Sequence, residues 1–151
     1  MKVIDIKEDW SNNFNRIKLF LESVDKLFYE PLSLRVDLIE YSKRLSKKAK
    51  NIFLTKNGED IGHIAFYINC NENKLFITSI SVIDGFQGNG LGEYLLKIVK
   101  IYAKKNNYKK VELEADLRSE KLIKFYKKNG FHEKNCSNFL ATMVCSVNID
   151  I

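Results

Sequence analysis

Between Asn51 and Val82 the chain carries three successive strand-like runs, separated by turns too short to hold a helix. Asn51–Lys56 leads into Asn57-Gly58, the strongest short hairpin signal in the sequence, because both residues accept positive φ at low cost. Asp60–Asn69 returns, Asn71-Glu72-Asn73 turns again, and Lys74–Val82 is the third run. Ile, Phe, Tyr and Thr dominate these segments, as half-buried antiparallel strands require. Connections this short cannot make a parallel crossover, so the segment reads as an antiparallel meander.

Helical periodicity stands on both sides of it. Phe14, Ile17, Leu21, Val24 and Phe28 form one apolar stripe, broken by Glu30-Pro31-Leu32-Ser33. Leu34, Leu38, Tyr41 and Leu45 form a second, ending in Lys47-Lys48-Ala49-Lys50, cations suited to a helix C-terminus. Lys2–Ile6 reads weakly as a first strand. After the meander, Leu91, Leu95, Ile98 and Tyr102 make a helix stripe, with Glu93, Lys97, Lys100 and Lys104 opposite. Val111, Leu113 and Ala115 then alternate with Lys110, Glu112 and Glu114, as a strand does. Ser119 caps a helix carrying Leu122, Ile123, Phe125 and Tyr126, which stops at Lys127-Lys128 and Gly130. Further strands are expected near His132 and over Leu140–Asn148. With no linker or repeat, this reads as one α+β domain over residues 1–151.

Charge narrows the partners. Net charge is +6, but 21 of the 25 basic residues are Lys and only four are Arg, the residue that forks onto guanine. A solvated basic surface or a small polyanionic ligand is favoured over nucleic acid. No apolar run approaches the ~20 residues of a membrane span. Cys70, Cys136 and Cys145 are odd in number and form no CxxC, which fits a reduced cytoplasmic protein without disulfides or metal.

The informative stretch is Gln87-Gly88-Asn89-Gly90-Leu91-Gly92, between a strand and a helix. Glycines there let backbone N–H groups converge, and the helix start adds about half a positive charge. Such a loop suits phosphate, the alternative being a glycine-rich turn without ligand. A P-loop needs Gly-Lys-Ser/Thr, where this chain has Gly92-Glu93-Tyr94. The dinucleotide pattern fails too, since its third glycine position holds Glu93.

Gln87-x-x-Gly90-x-Gly92 resembles the Gln/Arg-x-x-Gly-x-Gly/Ala motif of the GNAT N-acetyltransferases. Phe125-Tyr126-Lys127-Lys128-Asn129-Gly130-Phe131 resembles that family's aromatic-Tyr-x-x-x-Gly-Phe signature. The resemblance covers about Asn51–Phe131 and implies a mixed, mostly antiparallel sheet flanked by helices. It also implies acetyl-CoA as cosubstrate. The backbone of Gln87, Gly88, Asn89, Gly90, Leu91 and Gly92 would hold the pyrophosphate, with Gln87 either bracing the loop or touching the ligand. Ile80-Ser81-Val82 would pair with the pantetheine arm. Tyr126 would protonate the departing thiolate, its bland alternative being a core aromatic. Family members commonly carry Asn seven residues before that Tyr, where this chain has Ser119.

The implied enzyme is a monomer or homodimer that acetylates a primary amine, a small molecule before a protein. The second reading is an acyl-CoA sensor without turnover. Asp25, Glu30, Asp37 and Glu40 are candidates to meet a cationic amine. Many family members place a Glu base on the fourth strand, but Leu75–Val82 contains no carboxylate. His63 is the alternative base. Otherwise the proton must leave through water, past Ser79 or Ser81.

Overall fold

The computed structural model describes residues 5–28 and 30–147. Its elements are β1 (Lys7–Trp10), α1 (Phe14–Val24), α2 (Leu38–Lys48), β2 (Lys50–Lys56), β3 (Glu59–Asn69) and β4 (Lys74–Val82), then α3 (Leu91–Lys105), β5 (Lys110–Asp116), α4 (Glu120–Lys128), β6 (His132–Ser137) and β7 (Leu140–Ser146). The strands share one sheet in the order β1-β2-β3-β4-β5-β7-β6. β4 and β5 run parallel, whereas β1–β2, β2–β3, β5–β7 and β6–β7 are antiparallel. This is the expected mixed, mostly antiparallel sheet. No helix among the described residues is long and apolar enough to cross a membrane. Packing divides the chain into two compact units, each drawn from two stretches: Met1–Phe66 with Ser79–Leu95, and Tyr67–Thr78 with Leu96–Ile151.

In the first unit, Asn57 (φ 52) and Gly58 (φ 80) make the hairpin turn that matches strand twist. The register then slips: Lys56 faces Glu59, Thr55 faces Asp60, but Leu54 faces Gly62. Ile61 is the extra residue of a bulge, and its carbonyl accepts Ile83 N–H at 2.9 Å. The bulge puts Asp60 on the side of His63 and Phe53, where it receives Arg16. Arg16 donates Nε to Asp60 Oδ2 at 2.9 Å and Nη2 to Oδ1 at 2.7 Å. A third donor, Nη1, reaches Asp9 at 2.5 Å, and the guanidinium lies 4.1 Å from the Phe53 ring centre. α1 is thereby clamped to β1 and β3. The opposite side of the hairpin packs on α3, where a Cβ added at Gly62 would stand 3.5 Å from Leu95.

Three sequence expectations in this unit are displaced. The first strand is Lys7–Trp10, not Lys2–Ile6, and residues 2–4 of that expectation lie outside the described residues. An edge strand held by backbone pairing to β2 needs no apolar alternation, and all four residues are exposed. Phe28 is not on α1, which gives way to a 3-10 turn at Asp25–Leu27, leaving Phe28 extended. Leu34 is 73% exposed in a second such turn, because α2 starts only after Asp37, whose carboxylate caps the N–H groups of Ile39 and Glu40.

In the second unit β7 lies between β5 and β6, and the C-terminal strand expectation is met as far as Ser146; Asn148 lies outside the described residues. Glu112, one of the charged residues alternating with the apolar ones on β5, is only 3% exposed. Lys74 reaches its Oε2 at 2.5 Å and Lys134 its Oε1 at 3.1 Å. Burial pushes this carboxyl up, yet the two lysine hydrogen bonds outweigh it and hold it below the usual range. Lys100, placed opposite the apolar stripe of α3, donates its ammonium to the Asn129 carbonyl, at the negative end of α4.

Asp60→Asn keeps the shape but loses the charge that Arg16 needs, and Arg16→Lys loses the fork. Because the pair is partly screened, each should lower the unfolding free energy by about 1–3 kcal/mol, measured by urea denaturation. A loss below the scatter of such measurements would remove the clamp from the list of stabilising contacts.

Candidate active site

The loop expected to meet phosphate lies wholly in the first unit. Gly88 and Gly90 both adopt φ +80, and a Cβ at either would meet nothing within 4 Å. Glycine is therefore required by backbone conformation and not by crowding, and open space stands where side chains would be. Gly90 accepts the first helical bond of α3, from Tyr94 N–H at 3.0 Å. The N–H groups of Leu91, Gly92 and Glu93 open α3 without intrahelical acceptors. Leu91 is buried, so it offers the site its backbone alone.

Gln87 settles which of its two readings the geometry supports. Its Nε2 donates to the Val82 carbonyl at 3.1 Å, bracing the loop to the end of β4. Ile80, Ser81 and Val82 are the last residues of β4, so one hydrogen bond ties both expected cofactor segments together. β5 pairs with β4 over Lys74–Ile77, and Ile80–Val82 lie beyond that ladder. The Val82 carbonyl already has one partner.

Ser119 and Tyr126 belong to the second unit, on α4. Ser119 Oγ accepts Leu122 N–H at 3.3 Å, the expected N-cap, and its hydroxyl hydrogen remains available to a further acceptor. At the other end, Gly130 (φ 92) closes the helix. Phe131 N–H reaches back to the Tyr126 carbonyl at 3.0 Å and Gly130 N–H to that of Lys127 at 3.1 Å. This is a Schellman motif, and its usual apolar contact is the Tyr126–Phe131 ring pair at 5.9 Å. Tyr126 is 4% exposed, and burial raises its phenol above the ordinary tyrosine range. The proton therefore stays on the oxygen at neutral pH.

His63, the alternative base, is fully buried between the Phe53 and Phe20 rings, 4.7 and 5.7 Å away. Asn51 Nδ2 donates to the Leu45 carbonyl at 2.9 Å, which turns its Oδ1 toward His63 Nε2 at 3.0 Å. The network thus assigns the proton to Nε2 and leaves Nδ1 bare. Burial, then the Arg16 charge, push this imidazole down to about 3. It is a neutral core residue at pH 7.

Three of the four acidic candidates for an amine have partners within the protein. Asp25 accepts Ser33 N–H and Oγ–H at 2.8 and 2.6 Å, and those bonds lower its carboxyl. Asp37 is a helix cap, and Glu40 lies 3.6 Å from Lys43. A groove of about 550 Å³ beside Leu19 and Phe20 holds only the Arg16–Asp60 pair as charge. Among the described residues, no three His, Cys, Asp or Glu gather as a metal site. Two further features depend on packing between residues distant in the chain. Glu112 is buried, and the hydroxyls of Ser79 and Ser81 are buried without a hydrogen-bond partner.

The profile described as the "Acetyltransferase (GNAT) family" matches residues 11–131. The chain belongs to the GNAT family. An uncharacterised N-acetyltransferase of Methanocaldococcus jannaschii is 34% identical over 101 residues, covering 62% of this chain and 45% of that protein. The chain thus spans less than half of that relative's length. The PaiA N-acetyltransferase of Thermoplasma acidophilum, solved with coenzyme A, superposes with a TM-score of 0.75 at 15% identity over 93% of this chain and 99% of that one. A GNAT acetyltransferase of Elizabethkingia anophelis with acetyl-CoA bound gives 0.73 at 19% identity, over 94% and 98%. At such identities the GNAT fold is what these structures share with this chain.

A histidine held neutral only by folding makes stability fall with acid. The folded state resists the proton that the unfolded chain takes up below about pH 6.5, so stability is lost from there down toward pH 3. His63→Phe should flatten the stability–pH curve between pH 6.5 and 4 by up to ~1.4 kcal/mol per pH unit, read from urea melts. An unchanged slope would mean that His63 titrates normally.

Proposed function

We propose that this GNAT protein transfers the acetyl group of acetyl-CoA to the primary amine of a small molecule. One observation supports this most: two left-handed glycines before the α3 N-terminus, with open space at both and Gln87 bracing them to β4. Backbone N–H groups from Gln87 through Gly92 bind the pyrophosphate, whose charge meets the helix dipole. Ile80 and Val82 offer main-chain groups to the pantetheine, Val82 through its N–H. The Ser119 hydroxyl donates to the cofactor. The acceptor nitrogen attacks the thioester carbon, a C–N bond forms and the C–S bond breaks.

Tyr126 gives the leaving sulfur its proton and is reprotonated from solvent. An ordinary thiol near 8.5 against a phenol near 10 makes this step uphill by about 2 kcal/mol. Burial raises Tyr126 further, but a desolvated thiolate is raised for the same reason. We read the enzyme as cytoplasmic and as a monomer or homodimer. Thiol release from acetyl-CoA over alkyl, polyamine, amino-sugar and peptide amines tests the activity. Cofactor binding with no release across that panel would favour the sensor reading.

Gly90→Glu adds a carboxylate and strains a left-handed position, at about 1–2 kcal/mol of stability. It should fold, yet lose the rise in melting temperature that acetyl-CoA gives the wild type. A folded variant with the wild-type shift would remove the phosphate assignment.

Tyr126→Phe should lower kcat ~10²-fold or more with little change in KM for acetyl-CoA. Wild-type kcat, with chemistry shown to be rate-limiting, would return Tyr126 to the core.

A further inference from the structure

The glycine loop has no positive side chain of its own. From Ile83 to Leu96 the chain carries Asp84 and Glu93 and neither Lys nor Arg. Both acidic residues are exposed, one on each side of Gly88 and Gly90 in the sequence. The first unit as a whole holds as many acidic as basic residues, so no general positive field draws an anion to it. Main-chain N–H groups and a helix dipole of about half a charge must then hold a pyrophosphate between two carboxylates. A cation from another element is called for.

Lys56 supplies it. It is the last residue of β2, beside the Asn57-Gly58 turn, and stands opposite Glu59 in the ladder. Its ammonium nevertheless makes no ion pair with a carboxylate of the described residues. It lies 5.9 Å from the centre of the Phe86 ring, two residues before Gly88. Phe86 is itself tied to the loop. Its N–H donates to the Ile83 carbonyl at 3.2 Å, and its carbonyl accepts Asn89 Nδ2 at 3.4 Å. Lys56 and Phe86 are both half-buried, so the ring guides the lysine stem while the charged tip has no anionic partner.

We propose that the Lys56 ammonium binds a phosphate oxygen of coenzyme A beside the glycine loop, as the cation that the loop itself lacks. This rests on the phosphate-binding reading of the loop given above. The shared chemistry is a phosphate oxyanion, of the pyrophosphate or of the 3′-phosphate. Acetyl transfer changes no charge on either group, so the contact acts equally on bound acetyl-CoA and on the transition state. Lys56 therefore sets affinity for the cofactor and not turnover.

The test titrates wild type, Lys56→Gln and Lys56→Arg with coenzyme A by calorimetry, at low salt and at about 0.5 M sodium chloride. At low salt Lys56→Gln should raise Kd about three- to tenfold, and Lys56→Arg should retain most of the affinity. The gap between wild type and Lys56→Gln should close at the higher salt, because screening weakens a charge contact and leaves ring packing alone. Melting temperatures without ligand should agree, since neither variant removes an ion pair. In acetyl transfer, Lys56→Gln should raise KM for acetyl-CoA and keep kcat. Titration with 3′-dephospho-coenzyme A identifies the phosphate: a penalty that persists puts Lys56 on the pyrophosphate, and one that vanishes puts it on the 3′-phosphate. Wild-type Kd in Lys56→Gln at low salt overturns the inference. So does a loss that salt leaves unchanged, or an equal loss in Lys56→Arg. If the wild type itself binds no coenzyme A, the phosphate reading of the loop fails and this inference with it, a result separate from any difference between variants.

Discussion

The bulge at Ile61 decides which face of the sheet Asp60 occupies. In an unbroken ladder an even-numbered residue of β3 would lie with Gly62, against α3. One extra residue reverses the parity and turns the carboxylate toward Arg16. A guanidinium fork then fixes α1 over Phe53 and His63, and the same bulge residue holds Ile83, where the chain leaves β4 for the glycine loop. Loop placement and helix placement in the first unit thus share one local irregularity.

In the second unit the comparable constraint is the end of α4. The Tyr-x-x-x-Gly-Phe pattern is a helix stop as well as a family signature. Tyr126 supplies the carbonyl, Gly130 the left-handed residue and Phe131 both the returning N–H and the ring that packs on Tyr126. The phenol is held by main-chain bonds and an aromatic partner, so one motif both ends the helix and fixes its rotation. A Tyr126→Phe exchange keeps every one of these contacts, which separates the hydroxyl's chemistry from the ring's packing.

The sequence was most legible where a local rule acts alone. Asn57-Gly58, the Ser119 cap, the Gly130 stop and the bounds of β4 follow from turn and cap chemistry within a few residues. It was least legible where distant residues compete. Glu112 alternates with apolar residues like any charged strand position, and nothing near it in sequence announces Lys74 and Lys134. Leu34 fitted a helical stripe, yet the Asp37 cap excluded it from α2. Of the candidate loop, the left-handed glycines were readable, since φ decides them, whereas Gln87 stood between two readings that only its bond to the Val82 carbonyl separates. The unpartnered state of Ser79 and Ser81 was not readable, because only tertiary packing can deny a hydroxyl its usual partners.

Burial treats the two titratable candidates in the same way and so defines what chemistry is left. His63 is held unprotonated and Tyr126 protonated, each in its neutral form, because desolvation penalises whichever form is charged. Neither can change charge near pH 7. Asp25 and Asp37, two of the candidates for a cationic amine, are spent on a turn and a cap.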